Sequence, residues 1–445
     1  MTNTHPAQRR AVSAADIDAA AVRISGVIAA TPLERCDRLS AATGANVYLK
    51  REDLQVVRSY KLRGAYNLML QLNESERAAG VVAASAGNHA QGVAFACRTL
   101  GIKGRIYVPA KTPKQKRDRI MVHGGGFVEL VVGGGSYDAA AAAAKEDTEN
   151  TGATMVPPFD DIRTVAGQGT VAAEILGQLG TAPDTVVVPV GGGGLIAGLV
   201  SYLHERTPDV TVVGVEPTGA PSMTEALAAG RAVTLDEVDP FVDGAAVGRV
   251  GELPLEILMA AGAECVTHSS LPLITVPIKQ PGAGGITMLQ VDEGAVCTAM
   301  LDLYQNEGII AEPAGALSVT ALSGLEFEPG STVVCVISGG NNDVSRYGEV
   351  LERSLVHLGL KHYFLVGFPQ EPGALRRFLD EVLGPDDDIT LFEYVKRNNR
   401  DTGEALVGIE LGRADCLAPL IERMTDSRMH VERLVPGSPA YRYLT

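Results

Sequence analysis

Short apolar runs typical of buried β-strands alternate with helix-like segments through the first three quarters of this 445-residue chain. One set of strand-like runs covers residues 81–84, 105–109 and 127–132, and a second set covers residues 186–188, 211–215 and 333–337. Because neighbouring parallel strands need a crossover connection, this alternation favours parallel sheets with helices on their faces. The sequence therefore predicts an α/β protein with two open twisted-sheet lobes, whose ligands bind outside the carboxyl ends of strands.

The pattern changes after about residue 355. Strand-like runs at residues 362–368, 389–396, 405–411 and 430–435 are combined with helical patterns at residues 374–383 and 417–424. The resulting order, strand-helix-strand-strand-helix-strand, is the ferredoxin-like arrangement of an α+β domain. We therefore predict two domains. The first is residues 1–350, with a smaller lobe at about 60–160, and the second is residues 351–445, joined by a helix at 350–360.

Composition excludes several classes of protein. The net charge of −15 disfavours nucleic acid as a partner, and the basic run at residues 111–119 is explained by a solvated face or an inter-subunit contact. Six scattered cysteines without a C-x-x-C pair predict a reducing compartment rather than disulfides or zinc. No signal-peptide pattern is visible, and the uncharged run 185–203 contains a proline and four glycines, so we expect a cytoplasmic protein without a membrane span.

Two short segments carry the first indication of chemistry. Residues 59–65 read Ser-Tyr-Lys-Leu-Arg-Gly-Ala, and residues 85–89 read Ser-Ala-Gly-Asn-His. Lysine can form a Schiff base with the aldehyde of pyridoxal phosphate, and a turn with glycine and asparagine can bring backbone donors close to an anion. A single lysine in a polar stretch is solvent-facing in most proteins, so Lys61 alone does not decide the matter.

Two further segments follow strand-like runs. The glycines at 191–194 stand between an apolar run and an apolar helix, where backbone amides and the helix dipole favour an anion, although a flexible turn is the alternative. Ser338 follows the run 333–337, so its hydroxyl lies at the carboxyl end of a strand. A hydroxyl beside a pyridine nitrogen leaves the ring a milder electron sink than a carboxylate does, which suits β-elimination; the alternative is that Ser338 caps the turn.

Glu-Pro-Ala-Gly-Ala at residues 312–316 stands between the glycine segment and Ser338. The five segments in this chain order closely resemble biosynthetic threonine dehydratase (threonine ammonia-lyase) over almost the whole chain. The resemblance implies the tryptophan-synthase-β-like type II pyridoxal phosphate fold, followed by an ACT-like regulatory domain. It also implies roles for individual residues. Lys61 would attach pyridoxal 5'-phosphate and remove the Cα proton, Tyr60 would pack beside the ring and Asn88 would hydrogen-bond the ring hydroxyl.

The remaining roles implied by the resemblance concern the rest of the ligand. The phosphate would be bound by Gly191, Gly192, Gly193, Gly194 and Leu195, the pyridine nitrogen by Ser338, and the cofactor pocket would be lined by Glu312. The substrate carboxylate would be held by Ser85, Gly87, Asn88 and His89.

The activity implied is deamination of L-threonine to 2-oxobutanoate and ammonia, the first step of isoleucine biosynthesis, with L-serine as a second substrate of a broader enzyme. Isoleucine would bind near residues 369–375 as an allosteric effector of a homotetramer, and the alternative is a domain used only for assembly.

Ala86 has no titratable atom, which disfavours racemase activity, and His89 favours a dehydratase over a β-replacement enzyme. The segment 216–222 lacks the second carboxylate that a cation site would use, so no metal is predicted.

Three readings stay open. A non-catalytic amino-acid sensor should have lost a cofactor residue, whereas Lys61, Asn88 and Ser338 are all present. A hydrolase is suggested only by His-Gly-Gly-Gly at residues 123–126, which has no G-x-S-x-G partner in the chain. Residues 271–290 exceed the length expected from related chains, and their apolar runs around a Pro-Gly turn predict an inserted hairpin.

Overall fold

The computed structural model describes residues 11–265, 278–279, 284–394, 401–427, 429–435, 438 and 441. The chain divides into two compact units, Met1–Glu293 with Asp302–Asn342, and Gly294–Leu301 with Asp343–Thr445. The helices are α1 (Ala14–Ile24), α2 (Asp37–Thr43), α3 (Lys61–Leu70), α4 (Glu74–Ala79), α5 (Asn88–Leu100), α6 (Lys114–Gly124), α7 (Tyr137–Thr151), α8 (Ile162–Leu179), α9 (Gly194–Arg206), α10 (Ser222–Ala229), α11 (Glu252–Ala260), α12 (Glu293–Glu307), α13 (Pro313–Thr320), α14 (Tyr347–His357), α15 (Ala374–Glu381) and α16 (Leu417–Asp426).

The strands are β1 (Leu33–Arg35), β2 (Asn46–Arg51), β3 (Val81–Ala84), β4 (Gly104–Val108), β5 (Val128–Val132), β6 (Thr154–Met155), β7 (Thr185–Pro189), β8 (Thr211–Pro217), β9 (Glu264–Cys265), β10 (Ile278–Lys279), β11 (Ile286–Val291), β12 (Leu325–Glu326), β13 (Thr332–Ile337), β14 (Lys361–Pro369), β15 (Asp388–Tyr394), β16 (Thr402–Glu410) and β17 (His430–Leu434). None of the helices in these described ranges combines the length and hydrophobicity of a membrane span.

The larger sheet of the first unit has the order β1-β2-β13-β7-β8-β11-β9. Only β1 runs antiparallel to its neighbour, and every other pair is parallel. Every residue of β7 and β8 is buried, which explains why these strands read as continuous apolar runs rather than alternating ones. Because β13 and β7 are neighbours, the segments that follow them, which begin at Ser338 and Val190, lie side by side at one edge of the sheet.

The smaller sheet has the order β5-β4-β3-β6, with every pair parallel. The chain runs outward from β3 to β5 and then returns to the other side of β3 at β6. The connection after β3 therefore lies at the point where the strand order reverses, which is where open α/β sheets bind ligands. Residues 85–87 form this connection, and α5 begins directly after it. The predicted α/β class with two sheet lobes is confirmed.

The second unit contains the ferredoxin-like arrangement that the sequence predicts. Its four strands have the order β15-β16-β14-β17, and all neighbours are antiparallel. A core packs between the sheet and helices α15 and α16, because Phe364 and Val407 from the sheet meet Phe378 and Leu420 from the helices. The predicted boundary at residue 350 falls within α14, which belongs to the second unit.

The predicted inserted hairpin at residues 271–290 is wrong for the part that the structure describes. Residues 286–291 form β11, which pairs in parallel with β8 and β9 inside the larger sheet. This run is apolar because most of it is buried between two neighbouring strands, and not because it belongs to an insertion. Ile278–Lys279 pairs in parallel with Leu325–Glu326. Residues 271–277 and 280–283 lie outside the described residues.

Candidate active site

A pocket in the first unit lies where the ends of β7 and β13 meet the beginnings of α3 and α5. Six of its lining residues belong to those predicted from the sequence, namely Tyr60, Lys61, Asn88, Gly191, Glu312 and Ser338. The other lining residues are Pro189, Val190, Gly244, Ala245 and Ala314. Parts of the chain separated by more than two hundred residues therefore converge on one cavity.

Lys61 is the first residue of α3, and the segment before it is fixed to the end of β13. The amide of Tyr60 donates a hydrogen bond to the carbonyl oxygen of Ser338 at 3.2 Å, and Ser59 forms an isolated antiparallel bridge with Gly339. The Lys61 ammonium nitrogen lies 5.1 Å from the centre of the Tyr60 ring. This pairing brings the amine of Lys61 and the hydroxyl of Ser338 to the same cavity wall.

Asn88 and Glu312 are joined by a hydrogen bond at the floor of the pocket. Asn88 Nδ2 donates to Glu312 Oε1 at 2.6 Å, and the Glu312 side chain is buried. The pKa of Glu312 is raised to about 7, because burial and the nearby charge of Asp243 outweigh the lowering effect of the Asn88 hydrogen bond. The Glu312 carboxyl group can therefore gain or lose a proton near neutral pH.

Ser338 is buried directly after β13, and its hydroxyl donates a long hydrogen bond of 3.3 Å to the carbonyl oxygen of Ala314. A hydroxyl group can rotate toward a better acceptor, so Ser338 can donate to a ring nitrogen that enters the pocket. It brings no negative charge to that nitrogen.

The glycine loop between β7 and α9 is shaped by contacts that exclude side chains. Gly193 has a φ of +92°, which L side chains rarely adopt, and a Cβ on Gly192 would lie 2.5 Å from Phe159 Cγ. Gly194 begins α9, whose first-turn amides have no partner within the helix and whose dipole favours an anion. Leu195 is buried in the core of the larger lobe, so it can offer a ligand only its backbone amide.

The residues predicted to hold a substrate carboxylate occupy the connection after β3 and the start of α5. Gly87 donates its amide to Ser85 Oγ at 3.3 Å. His89 Nε2 lies 2.7 Å from the carbonyl oxygen of Val156, so Nε2 carries the proton and donates it. Burial lowers the pKa of His89 to about 4, which keeps its imidazole neutral at physiological pH. The His89 ring therefore brings no positive charge, and its backbone amide is the group suited to an anion.

Three residues near the pocket belong to no motif that would identify them from the sequence. Phe159 packs against two glycines of the loop, because a Cβ on Gly194 would lie 2.8 Å from Phe159 Cβ. Gly244 and Ala245 line the pocket, and a Cβ on Gly244 would lie 2.7 Å from Ala314 Cβ and 3.5 Å from Glu312 Oε1. Gly and Ala are common in surface turns, so the sequence alone does not mark Gly244 and Ala245 as pocket residues. Only their close packing against the residues around the pocket does so.

The donor groups of the pocket fit pyridoxal phosphate. They provide one amine for an aldehyde, a hydroxyl for a ring nitrogen, an amide for a ring hydroxyl and a glycine-lined helix start for a phosphate. Close packing of Gly191 against Ala245 and of Gly192 against Phe159 leaves no space for a side chain at either position. The described residues therefore form a cradle of the right chemical composition for this cofactor.

The candidate carboxylate of a cation site, Glu216, is already engaged by other groups. Within the described ranges no group of three His, Cys, Asp or Glu residues could hold a metal ion. Glu216, the candidate carboxylate, accepts hydrogen bonds from the amides of Met223 and Thr224 at 2.6 and 3.0 Å and from the Thr224 hydroxyl at 2.8 Å. Both of its oxygens are therefore engaged by the start of α10. Burial raises the pKa of Glu216 to about 7.

Comparison with known proteins gives the same picture for both units. Residues 24–339 match the family described as pyridoxal-phosphate dependent enzyme, and residues 352–444 match the C-terminal regulatory domain of threonine dehydratase. The L-threonine dehydratase biosynthetic IlvA of Mycobacterium tuberculosis is 69% identical over 433 residues, which cover 97% of this chain and 96% of that protein. The protein of the same name from Corynebacterium glutamicum is 62% identical over 98% of this chain and 95% of its own length.

Solved structures are also similar. The processed form of threonine deaminase isoform 2 from Solanum lycopersicum superposes with a TM-score of 0.66 and 36% identity, covering 78% of this chain and 96% of that chain. Maize serine racemase superposes with a TM-score of 0.67 and 28% identity, covering 78% of this chain and 99% of that chain. The fold of the first unit thus occurs in both dehydratases and racemases.

Proposed function

This chain belongs to the pyridoxal-phosphate-dependent enzymes and, among them, to the biosynthetic threonine dehydratases, and from that membership we propose that it deaminates L-threonine to 2-oxobutanoate and ammonia. The reaction is a β-elimination of water and supplies the first step of isoleucine biosynthesis. The observation that carries the proposal is the convergence of Lys61, Asn88 and Ser338 on one pocket.

The cofactor, when bound, supplies an electron sink for the pair released from the substrate Cα–H bond. The side chains of the pocket hold the substrate so that its Cα–H bond lies beside a base. Lys61 is the proposed point of cofactor attachment and the base that takes the Cα proton, because it is the amine that lines the pocket in the described part of the chain. Tyr60 restricts where its ammonium can lie.

The pocket favours elimination over transfer of the amino group. A neutral Ser338 hydroxyl at the pyridine nitrogen does not stabilise a protonated ring, so electrons stay available to expel the β-hydroxyl. We assign phosphate binding to the backbone of Gly191, Gly192, Gly193, Gly194 and Leu195. Glu312 also lines the cavity.

The substrate carboxylate is assigned to the backbone around Ser85, Gly87, Asn88 and His89. This assignment is supported by the position of the connection after β3 and by the start of the 13-residue helix α5, whose dipole favours an anion. The neutral His89 ring supports the assignment of the backbone rather than the side chain as the donor.

Ala86 supports a dehydratase rather than a racemase. Racemisation needs a second acid or base on the opposite face of the substrate, and the methyl group of Ala86 packs against the core of the smaller lobe instead. We therefore propose that unreacted L-threonine keeps its configuration during turnover. Appearance of D-allo-threonine, the Cα epimer of L-threonine, in the reaction mixture would contradict this proposal.

Regulation is assigned to the second unit. The match of residues 352–444 to a regulatory domain supports an effector site, and we propose isoleucine as the effector, bound near residues 369–375. In this segment the turn after β14 meets the start of α15, and Gly373 has a φ of +89°. We further propose a homotetramer in the cytoplasm, with a catalytic domain at residues 1–350 and a regulatory domain at residues 351–445.

The test uses the purified full-length chain supplied with pyridoxal phosphate. We expect visible absorbance from cofactor held by Lys61, formation of 2-oxobutanoate from L-threonine, and inhibition by isoleucine that valine does not reproduce. Lys61→Ala should lose both the absorbance and the activity, and L-serine in place of L-threonine measures the breadth of specificity. Cofactor absorbance without keto acid from either substrate would refute the dehydratase assignment.

A further inference from the structure

The basic helix α6 reaches the cofactor pocket indirectly. Arg119 on this helix donates from Nη1 to Asn341 Oδ1 at 2.8 Å, and Lys116 forms an ion pair with Asp243 at 2.5 Å. The sequence predicts only a solvated face or a subunit contact for this basic run. The structure instead directs two of its cations at loops that border the pocket, because Asp243 precedes Gly244 and Asn341 lies three residues after Ser338.

Asn341 receives Arg119 on one side and holds Asn88 on the other. Its Nδ2 donates to the carbonyl oxygen of Val57 at 2.8 Å and to Asn88 Oδ1 at 2.8 Å. Both Nδ2 hydrogens and the Oδ1 acceptor are thus in use. A flipped amide would turn Nδ2 toward the donating guanidinium and Oδ1 toward two acceptors, so the Asn341 amide has one favourable orientation.

The orientation of Asn341 fixes that of Asn88. Asn88 Oδ1 accepts from Asn341, and Asn88 Nδ2 donates to Glu312 Oε1 at 2.6 Å. One Nδ2 hydrogen of Asn88 remains, and Asn88 lines the pocket. The backbone of Asn341 also hydrogen-bonds Glu312, which closes the set into a continuous network.

We propose that Arg119 is a positioning residue for the cofactor, because it orients the Asn88 amide through Asn341 so that the free N–H points at the ring hydroxyl. The inference rests on the cofactor site proposed above. A guanidinium suits this role because its charge-assisted hydrogen bond to Asn341 Oδ1 is stronger than a neutral one, and a chain of hydrogen bonds strengthens along its length. Arg119 itself does not line the pocket.

The network also connects the two lobes. Arg119 belongs to the smaller lobe, whereas Asn341 follows β13 of the larger lobe. A movement of α6 away from the larger lobe would therefore release Asn341 and, with it, the fixed orientation of Asn88. If Arg119 only held the two lobes together, its replacement would change stability alone. If it positions Asn88, its replacement must also change cofactor affinity, and this effect must depend on Asn341.

The experiment measures the dissociation constant of pyridoxal phosphate for the apoenzyme by fluorescence titration without substrate. The variants are Arg119→Met, which keeps the length of the side chain but removes its donors, Asn341→Ala, and the double variant. Arg119→Met should bind the cofactor about tenfold more weakly, the value of one hydrogen bond to a charged group. The double variant should bind no more weakly than Asn341→Ala alone, because Arg119 acts through Asn341.

Two controls separate positioning from folding. Lys114→Ala on the same helix removes an exposed cation paired with Asp118 and should leave cofactor affinity unchanged. Arg119→Lys should recover part of the affinity, and thermal unfolding of each apoenzyme reports global stability separately. Unchanged affinity in Arg119→Met, or additive losses in the double variant, would overturn the inference. Absence of cofactor binding by the unaltered chain would instead overturn the proposed site itself.

Discussion

The buried carboxyl group of Glu312 should make the stability of the apoenzyme depend on pH in a defined direction. Burial raises the pKa of Glu312 from 4.5 to about 7. Between these two values the folded protein holds the Glu312 proton and the unfolded chain has lost it. The free energy of unfolding therefore falls as the pH rises through this window, with the stabilisation fully present below pH 4.5 and lost above about pH 7.

The magnitude follows from the same two values. Each pH unit between them is worth about 1.4 kcal/mol, and integration from pH 5 to pH 8 gives about 2.5 kcal/mol for this one group. Glu312→Gln has no proton to gain or lose at this position. The wild-type protein should therefore lose about 2.5 kcal/mol more stability than Glu312→Gln between pH 5 and pH 8.

Urea unfolding of both apoenzymes at pH 5, 6, 7 and 8 tests this prediction. Glu216 and His89 also have shifted pKa values, but both are present in both proteins, so their contributions cancel in the difference. Glu149→Gln, at an exposed position of α7, is the matched control and should follow the wild-type pH dependence. If the difference between wild type and Glu312→Gln stays constant from pH 5 to pH 8, the reasoning about Glu312 is refuted.

Three other changes test separate parts of the first unit. Gly192→Ala would place a Cβ 2.5 Å from Phe159 Cγ, so we expect at least tenfold weaker binding of pyridoxal phosphate in a titration, partly restored by Phe159→Leu; equal affinity would contradict the close packing of the loop. Arg63→Met leaves Glu52 buried without its cation and should cost about 3–5 kcal/mol in urea unfolding, and a loss below about 1 kcal/mol would contradict the burial of the pair. Treatment with a chelator should leave threonine turnover unchanged, because helix α10 already occupies the oxygens of Glu216; loss of activity that Mg²⁺ restores would show a metal site.

The sequence predicts those parts of the site that depend on local order along the chain. Gly191 and Ser338 each follow an apolar strand, and the carboxyl ends of neighbouring parallel strands meet at one edge of a sheet. Their convergence with Lys61 follows once β7 and β13 are adjacent, as they are. The ferredoxin-like unit could be predicted because the order strand-helix-strand-strand-helix-strand along the chain is itself the signature of this arrangement.

The parts that the sequence does not predict depend on contacts between distant residues. Phe159 shapes the glycine loop from a connection between β6 and α8, and no local pattern marks a phenylalanine for that role. Arg119 and Asn341 are 222 positions apart in the sequence, so the basic run that contains Arg119 does not indicate which residue Arg119 contacts. The sequence predicts a hairpin within residues 271–290 because apolar runs beside a turn look alike whether they pair with each other or join a sheet.

The helix that begins at Lys61 is held in place by a set of charged side chains that does not include Lys61. Arg63, two residues along α3, donates to both Glu52 and Glu174. Burial lowers the pKa of Arg63, but the two carboxylates outweigh this effect and raise the pKa overall. Lys50 is likewise buried and donates to Glu174 at 2.6 Å. These two cations and two carboxylates form a neutral buried group that anchors α3 to α8. The Lys61 terminal nitrogen lies instead 5.1 Å from the centre of the Tyr60 ring. The network therefore fixes helix α3 through Arg63 and not through the lysine that we propose as the point of cofactor attachment.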